Sequence, residues 1–188
     1  YTNWKAYVHR LQPFDGHLIP VFENGKRISG AVKDHNFTVK DILDLDGVRA
    51  VELRTSKQLM CLDFDSLEAI RFAETEGNFI LKDLKTWLVK RDNQPFRCKF
   101  FLYRTKSQQE ELDEFSLDLE DHDLEVFSKS TKPVTVLGWH RKSGLYRWYG
   151  TDPSKINTCP PKIWDFIIDQ YQKKYQTIRS KKYSSRDW

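Results

Sequence analysis

Apolar positions recur at two periods along this chain, and the switches between them mark its elements. Trp4, Tyr7, Val8 and Leu11 repeat at helical spacing and predict a short helix over residues 3–11. Gly16 opens a strand over 17–22, which Asn24-Gly25 turns into a loop over 26–36. Thr38 is placed to cap a short helix over 39–45 that ends near Gly47. Residues 48–53 alternate as a strand does, and 58–64 form a near-continuous apolar run that ends in acids. Ser66 suits the cap of a helix over 67–76, and Gly77 suits its end. Residues 84–90 and 98–104 read as a hairpin turned at 92–95. The acidic stretch 108–121 fits either a helix or a mobile excursion. Strands follow at 123–127, 134–137 and 144–149, joined by turns at 128–133 and 140–143. Pro160-Pro161 then starts an amphipathic helix through 175, with Ile163, Phe166, Ile167 and Tyr171 on one face.

Strands outnumber helices and come partly in hairpins. That pattern predicts an α+β domain over 1–176, with a mixed or antiparallel sheet and packed helices. Residues 177–188 are mostly Lys, Arg and Ser and read as a basic tail, or a linker into a further domain. No internal repeat is present.

Composition narrows the class. A chain of 188 residues with 39% hydrophobic and 31% charged residues suits one globular domain with a sizeable core. No run approaches the roughly 18 apolar residues of a membrane span. A first residue of Tyr1 rather than Met suggests an excerpt of a longer protein, or a trimmed start. Net charge is +4, which permits nucleic-acid contact without requiring it. Its distribution is uneven, with Lys173, Lys174, Arg179, Lys181, Lys182 and Arg186 against the acids of 110–123. Cys61, Cys98 and Cys159 form no CxxC pair and no disulfide framework. Cys61 and Cys98 lie in apolar runs as buried, inert thiols, and a reducing cytoplasm is expected.

Four features carry chemistry. Leu59-Met60-Cys61-Leu62-Asp63-Phe64-Asp65 brings two acids to the end of an apolar strand, and positions i and i+2 share a face. Two hard carboxylates so placed suit Mg²⁺ or Mn²⁺; a strand ending in polar residues before a capped helix has the same pattern. Glu125 sits in the apolar run Leu124-Glu125-Val126-Phe127, where a carboxylate needs a cation. A metal or a lysine would serve. Arg97 and Lys99 lie two apart on a strand, aimed at a phosphate or at solvent. The turn Gly138-Trp139-His140-Arg141-Lys142-Ser143-Gly144 gathers an imidazole, cations, a hydroxyl and backbone donors, as a phosphate site or a basic hairpin turn would.

In this order the features resemble the archaeo-eukaryotic primase superfamily, in particular the bifunctional primase-polymerase domains of viruses and plasmids. The Asp-x-Asp motif is met by Asp63 and Asp65, and the later strand acid by Glu125. His140 to Gly144, followed by Tyr146 and Trp148, is similar to the family's His-containing Ser-Gly segment, and 16–26 to its N-terminal strand and turn. In place of the family's frequent Ser-x-His stands Arg97-Cys98-Lys99. The resemblance implies an RNA-recognition-type core and a template-dependent DNA primase or polymerase that joins NTPs or dNTPs. Asp63, Asp65 and Glu125 would hold Mg²⁺ or Mn²⁺. His140, Lys142 and Ser143 would bind the triphosphate, with Lys99 and Arg97 assisting. It further implies a DNA template and primer, a helicase domain on the same or another chain, and a viral or plasmid replication role in a host cytoplasm, without a membrane. The zinc module common near such primases is missing here.

Two other readings of the same residues stand beside it. A metal-dependent nuclease would also cluster acids on strands, but the acid–x–lysine pattern common there is unmet after Glu125. A non-catalytic single-stranded-DNA-binding module would use Trp139, Tyr146, Trp148 and Tyr149 beside their cations.

Overall fold

The computed structural model describes residues 3–24, 36–140, 142, 144–149 and 152–184, with side chains through 176. Its strands are β1 (Leu18–Phe22), β2 (Val48–Arg54), β3 (Leu59–Phe64), β4 (Leu88–Arg91), β5 (Gln94–Tyr103), β6 (Phe115–Leu119), β7 (Leu124–Ser128), β8 (Pro133–Trp139), β9 (Leu145–Trp148) and β10 (Asn157–Thr158). They join in one sheet, in the order β1-β2-β8-β9-β4-β5-β3-β7-β6. Every pairing on that path is antiparallel, and β10 adds a short parallel pairing to β5. The helices are α1 (Val39–Asp44), α2 (Leu67–Gly77), α3 (Lys106–Glu111) and α4 (Pro161–Ser184). The expected α+β class with a largely antiparallel sheet is what forms. Among the described residues no helix is long and apolar enough to cross a membrane.

The period of two in β3 explains the two cores. Leu59 and Cys61 join one cluster, with Val89, Phe101 and the N-terminal helix residues Trp4, Val8 and Leu11. Met60, Leu62 and Phe64 join the other, with Ala69 and Ala73 of α2 and Ile163, Phe166 and Ile167 of α4. A strand flanked by β5 and β7 and covered on both faces has to be apolar at successive positions. The three cysteines are free and buried, and burial pushes the Cys98 and Cys159 thiols up to about 12.

Local signals set most boundaries. Thr38 and Asp41 form a reciprocal capping box on α1, and Ser66 Oγ accepts from Ala69 N to cap α2. Other boundaries moved. The N-terminal helix is a 3-10 helix, Trp4–Phe14, that admits Pro13. Asn78, not Gly77, takes the left-handed position that ends α2. Of the expected strand 84–90 only Leu88 onward pairs, and the hairpin turns at Asp92-Asn93, with Gln94 and Pro95 already inside β5. The undecided stretch 108–121 is neither of its two expectations alone. It holds α3, capped by Thr105, and then the edge strand β6. The C-terminal helix runs past 175 to Ser184. The expected loop 26–36 lies outside the described residues apart from Asn36.

Arg104 holds the region after β5 together. Its guanidinium donates to the carbonyls of Asp113 (3.2 Å), Gln108 (3.0 Å) and Leu112, and to Ser128 Oγ (3.0 Å). The rings of Phe115 and Trp164 flank it at 5.1 and 4.9 Å. The carbonyls of Leu112 and Asp113, just past the end of α3, thereby gain a donor, and Gln108 O, which already accepts from Leu112 N, gains a second. Arg104→Met keeps the stem and strands those carbonyls. It is expected to lower stability by about 3 kcal/mol in urea unfolding, with an unchanged denaturant slope. A loss below about 0.5 kcal/mol would contradict this role.

Candidate functional site

The register of three strands builds the site. Asp63 on β3 lies directly opposite Lys99 on β5 and directly opposite Glu125 on β7. Asp118 on β6 stands opposite Glu125 and extends the row. Directly opposed residues share a sheet face, so Lys99, Asp63, Glu125 and Asp118 form one charged line across four strands. It lies on the face that carries Leu59, Cys61 and Phe101 nearer the N-terminal helix. That face is apolar at one end of β3 and charged at the other.

Asp65 follows β3 in the link to α2, with its backbone N–H bonded to Asp123 O at 2.9 Å. Two cross-strand ion pairs face it and Asp63. Lys99 Nζ lies 3.7 Å from Asp63 Oδ1, both side chains mostly buried, and Arg97 Nη1 lies 3.8 Å from Asp65 Oδ1, half-exposed. The expected common face of Arg97 and Lys99 is therefore present, and Cys98 between them points into the opposite core. Glu125 makes no ion pair among the described residues, so the lysine partner expected as one alternative is not seen.

The charges are strained by burial. Burial raises the Asp63 carboxyl above its usual range, Asp65 adds to this, and Lys99, Arg91 and Arg97 oppose it. Burial also raises Glu125, followed by repulsion from Asp118, Asp63 and Asp65. For Lys99, burial acts downward, but Asp63 and the other neighbouring groups outweigh it and the amine is raised overall. Its ammonium also sits 4.9 Å from the centroid of the Tyr146 ring.

The turn after β8 reaches the same place. Gly138 has φ +95°, and a Cβ there would lie 2.4 Å from Arg49 O, so only glycine lets β8 pass so close to β2. His140 N donates to Gly144 O at 2.9 Å and closes the turn. His140 Nδ1 accepts from Lys142 N at 3.1 Å, which leaves Nε2 to carry the proton of the neutral ring. Burial lowers the imidazole to about 4, with Arg91, Lys99, Arg97 and Arg49 adding to the effect. The ring is thus neutral at pH 7 and within the field of the cations that face Asp63 and Asp65. Its centroid is 5.9 Å from that of Tyr146, and both rings line a cavity of about 190 Å³ with Trp139, Arg49 and Glu52. The Lys142 side chain is exposed, and Ser143 lies outside the described residues.

The donor set suits a hard divalent ion in kind: three carboxylates from adjacent strands and the link beyond them, with burial and mutual repulsion to relieve. It is not gathered into a ligand set. Among the described residues no group of three or more His, Cys, Asp or Glu stands ready to hold a metal, and Lys99 and Arg97 pair with the carboxylates of Asp63 and Asp65.

One residue escaped the sequence reading. Arg91, the last residue of β4, is 6% exposed, lies opposite Tyr146, and acts on both Asp63 and His140. In sequence it precedes Asp92-Asn93 and looks like a solvated hairpin end. Its spacing of two from Val89 was the available signal.

No protein-family model matches the chain, and a comparison with curated proteins finds no match.

Glu125→Gln removes a half-exposed carboxylate that has repulsive neighbours and no ion pair. It is expected to stabilise the metal-free protein at pH 7, by less than about 1 kcal/mol. The sign follows from the raised folded-state carboxyl. Ionisation then costs the fold, so the advantage of the glutamine is present at neutral pH and fades as pH falls through the titration of Glu125. Thermal melts of both proteins from pH 7 to pH 4 measure it. A destabilised variant at pH 7 would contradict the repulsion.

Proposed function

We propose that this domain is a template-dependent nucleotidyltransferase, a DNA primase or polymerase that joins NTPs or dNTPs on a DNA template. The observation that carries the reading is the charged line Lys99–Asp63–Glu125 on one sheet face, with the neutral His140 ring set among the same cations. The family resemblance of the Asp63-x-Asp65, Glu125 and His140–Gly144 segments supports it, and with it an RNA-recognition-type core.

Each group has a part. Asp63, Asp65 and Glu125 would hold Mg²⁺ or Mn²⁺. When bound, those ions would lower the pKa of a primer hydroxyl and neutralise charge on the phosphates. Lys99 and Arg97 are strand-mounted cations that can exchange a carboxylate partner for a phosphate oxygen. Such an exchange releases Asp63 and Asp65 for the metal, so triphosphate and metal would bind together. His140 offers an N–H rather than a positive charge, since its proton stays on Nε2 at neutral pH. Lys142 adds a cation at the exposed rim, and Ser143 enters by the resemblance alone. Arg91 supplies fixed positive potential from below.

A non-catalytic single-strand-binding module is the second reading. The ion pairs that hold Asp63 and Asp65 favour it, because a purely structural charge network would look the same.

Primer extension separates them. The chain is expected to extend a labelled primer-template with dNTPs or NTPs and Mg²⁺ or Mn²⁺. Asp63→Ala should lower the rate by at least about a thousandfold with the fold intact, and His140→Ala should weaken nucleotide affinity more than DNA affinity. Extension unchanged in Asp63→Ala would remove the assignment. No extension by either protein, with equal DNA binding, would leave the binding module.

A further inference from the structure

Helix α4 begins as a core element, and its last described side chains are exposed. Ile163, Trp164, Phe166 and Ile167 are buried against the sheet. Tyr171 packs edge-to-face on Phe115 of the sheet, centroids 5.9 Å apart. Residues 172–176 are all exposed, yet the helix continues to Ser184. From 172 to 184 the sequence has the cations Lys173, Lys174, Arg179, Lys181 and Lys182 and no acid. Residues 172–176 bury no face, Lys173 is paired with Asp169 one turn back, and the remaining like charges oppose the helix. A polyanion laid against it supplies the missing favourable term.

Its position says which polyanion. The Lys174 ammonium donates to the Asp118 carbonyl on the edge strand β6. Asp118 stands opposite Glu125, and Glu125 opposite Asp63. The helix therefore leaves the sheet at the edge where the charged line ends. Beyond Lys174 it rises about 15 Å, enough to follow about four phosphates of one strand. Tyr175, 49% exposed and stacked on Tyr171 at 5.8 Å, lies where that stretch begins. An anionic membrane has the same charge. Ile178 is the only aliphatic residue from 172 to 184, however, and a surface-lying helix needs an apolar face.

We propose that the cationic C-terminal half of α4 docks the phosphate backbone of a nucleic-acid strand running past the β6 edge. The identification of that strand with a template rests on the proposed function; the electrostatic docking does not.

Fluorescence anisotropy of a labelled single-stranded oligonucleotide, measured across a salt series, tests the proposal. The comparison is between the full chain and a variant with Lys173, Lys174, Arg179, Lys181 and Lys182 all changed to Gln. The slope of log affinity against log salt should fall by about 3 in the variant. A second variant, with the four lysines changed to Arg, should keep the parent slope. Circular dichroism should show helix content retained in both. An unchanged slope in the glutamine variant overturns the proposal. So does a parent protein that binds phosphatidylserine vesicles and ignores the oligonucleotide. Asp63→Ala, run alongside, should keep the full slope. A failure of catalysis and a failure of docking are thus read on different variants.

Discussion

The constraint on which the site depends is the register of β3 between β5 and β7. It sets Asp63 opposite both Lys99 and Glu125, in a strand that is apolar at all its other positions. A slip of one residue would turn Asp63 into the core of Met60, Leu62 and Phe64, which a charged group cannot enter unpaired. The two apolar clusters fix the register, and the register brings the charges together. The Lys99–Asp63 pair is thus weak evidence for stability. It is better understood as a charge pair kept in place by the packing around it, which the proposed function has exchange with a ligand.

The electrostatics point the same way. Burial raises Asp63 and Glu125, and Glu125 faces Asp118, Asp63 and Asp65 with no ion pair of its own among the described residues. Burial, with Arg91, Lys99, Arg97 and Arg49 adding to it, holds His140 neutral. Excess negative charge and excess positive charge therefore lie side by side. A ligand that is itself a phosphate with bound cations would relieve both. Lys174 brings a further positive charge to the edge where the acidic line stops.

Much of this was legible in the sequence. Asp63 and Asp65 announce themselves because two acids at a spacing of two interrupt an apolar strand, and Thr38 and Ser66 because caps act locally. Glu125 was visible as a lone acid among residues that had to be buried. Other features depend on partners distant in sequence. Strand β6 is hidden within an acidic run, since an edge strand needs only one apolar face, here Phe115, Leu117 and Leu119. Arg91 looks like a turn residue until β9 pairs against it. The extension of α4 past 175 has no apolar period to reveal it. The ion pairs that hold Asp63 and Asp65 follow from register, which no local pattern supplies.

The most direct test of the account is the affinity of the protein for a deoxynucleoside triphosphate, by equilibrium dialysis with and without Mn²⁺. If phosphate takes the cations from Asp63 and Asp65 and so frees them for the metal, Mn²⁺ should tighten nucleotide binding at least about tenfold, or about 1.4 kcal/mol. Asp63→Asn should abolish that enhancement. An affinity that ignores Mn²⁺, or an enhancement that survives in Asp63→Asn, would contradict the account.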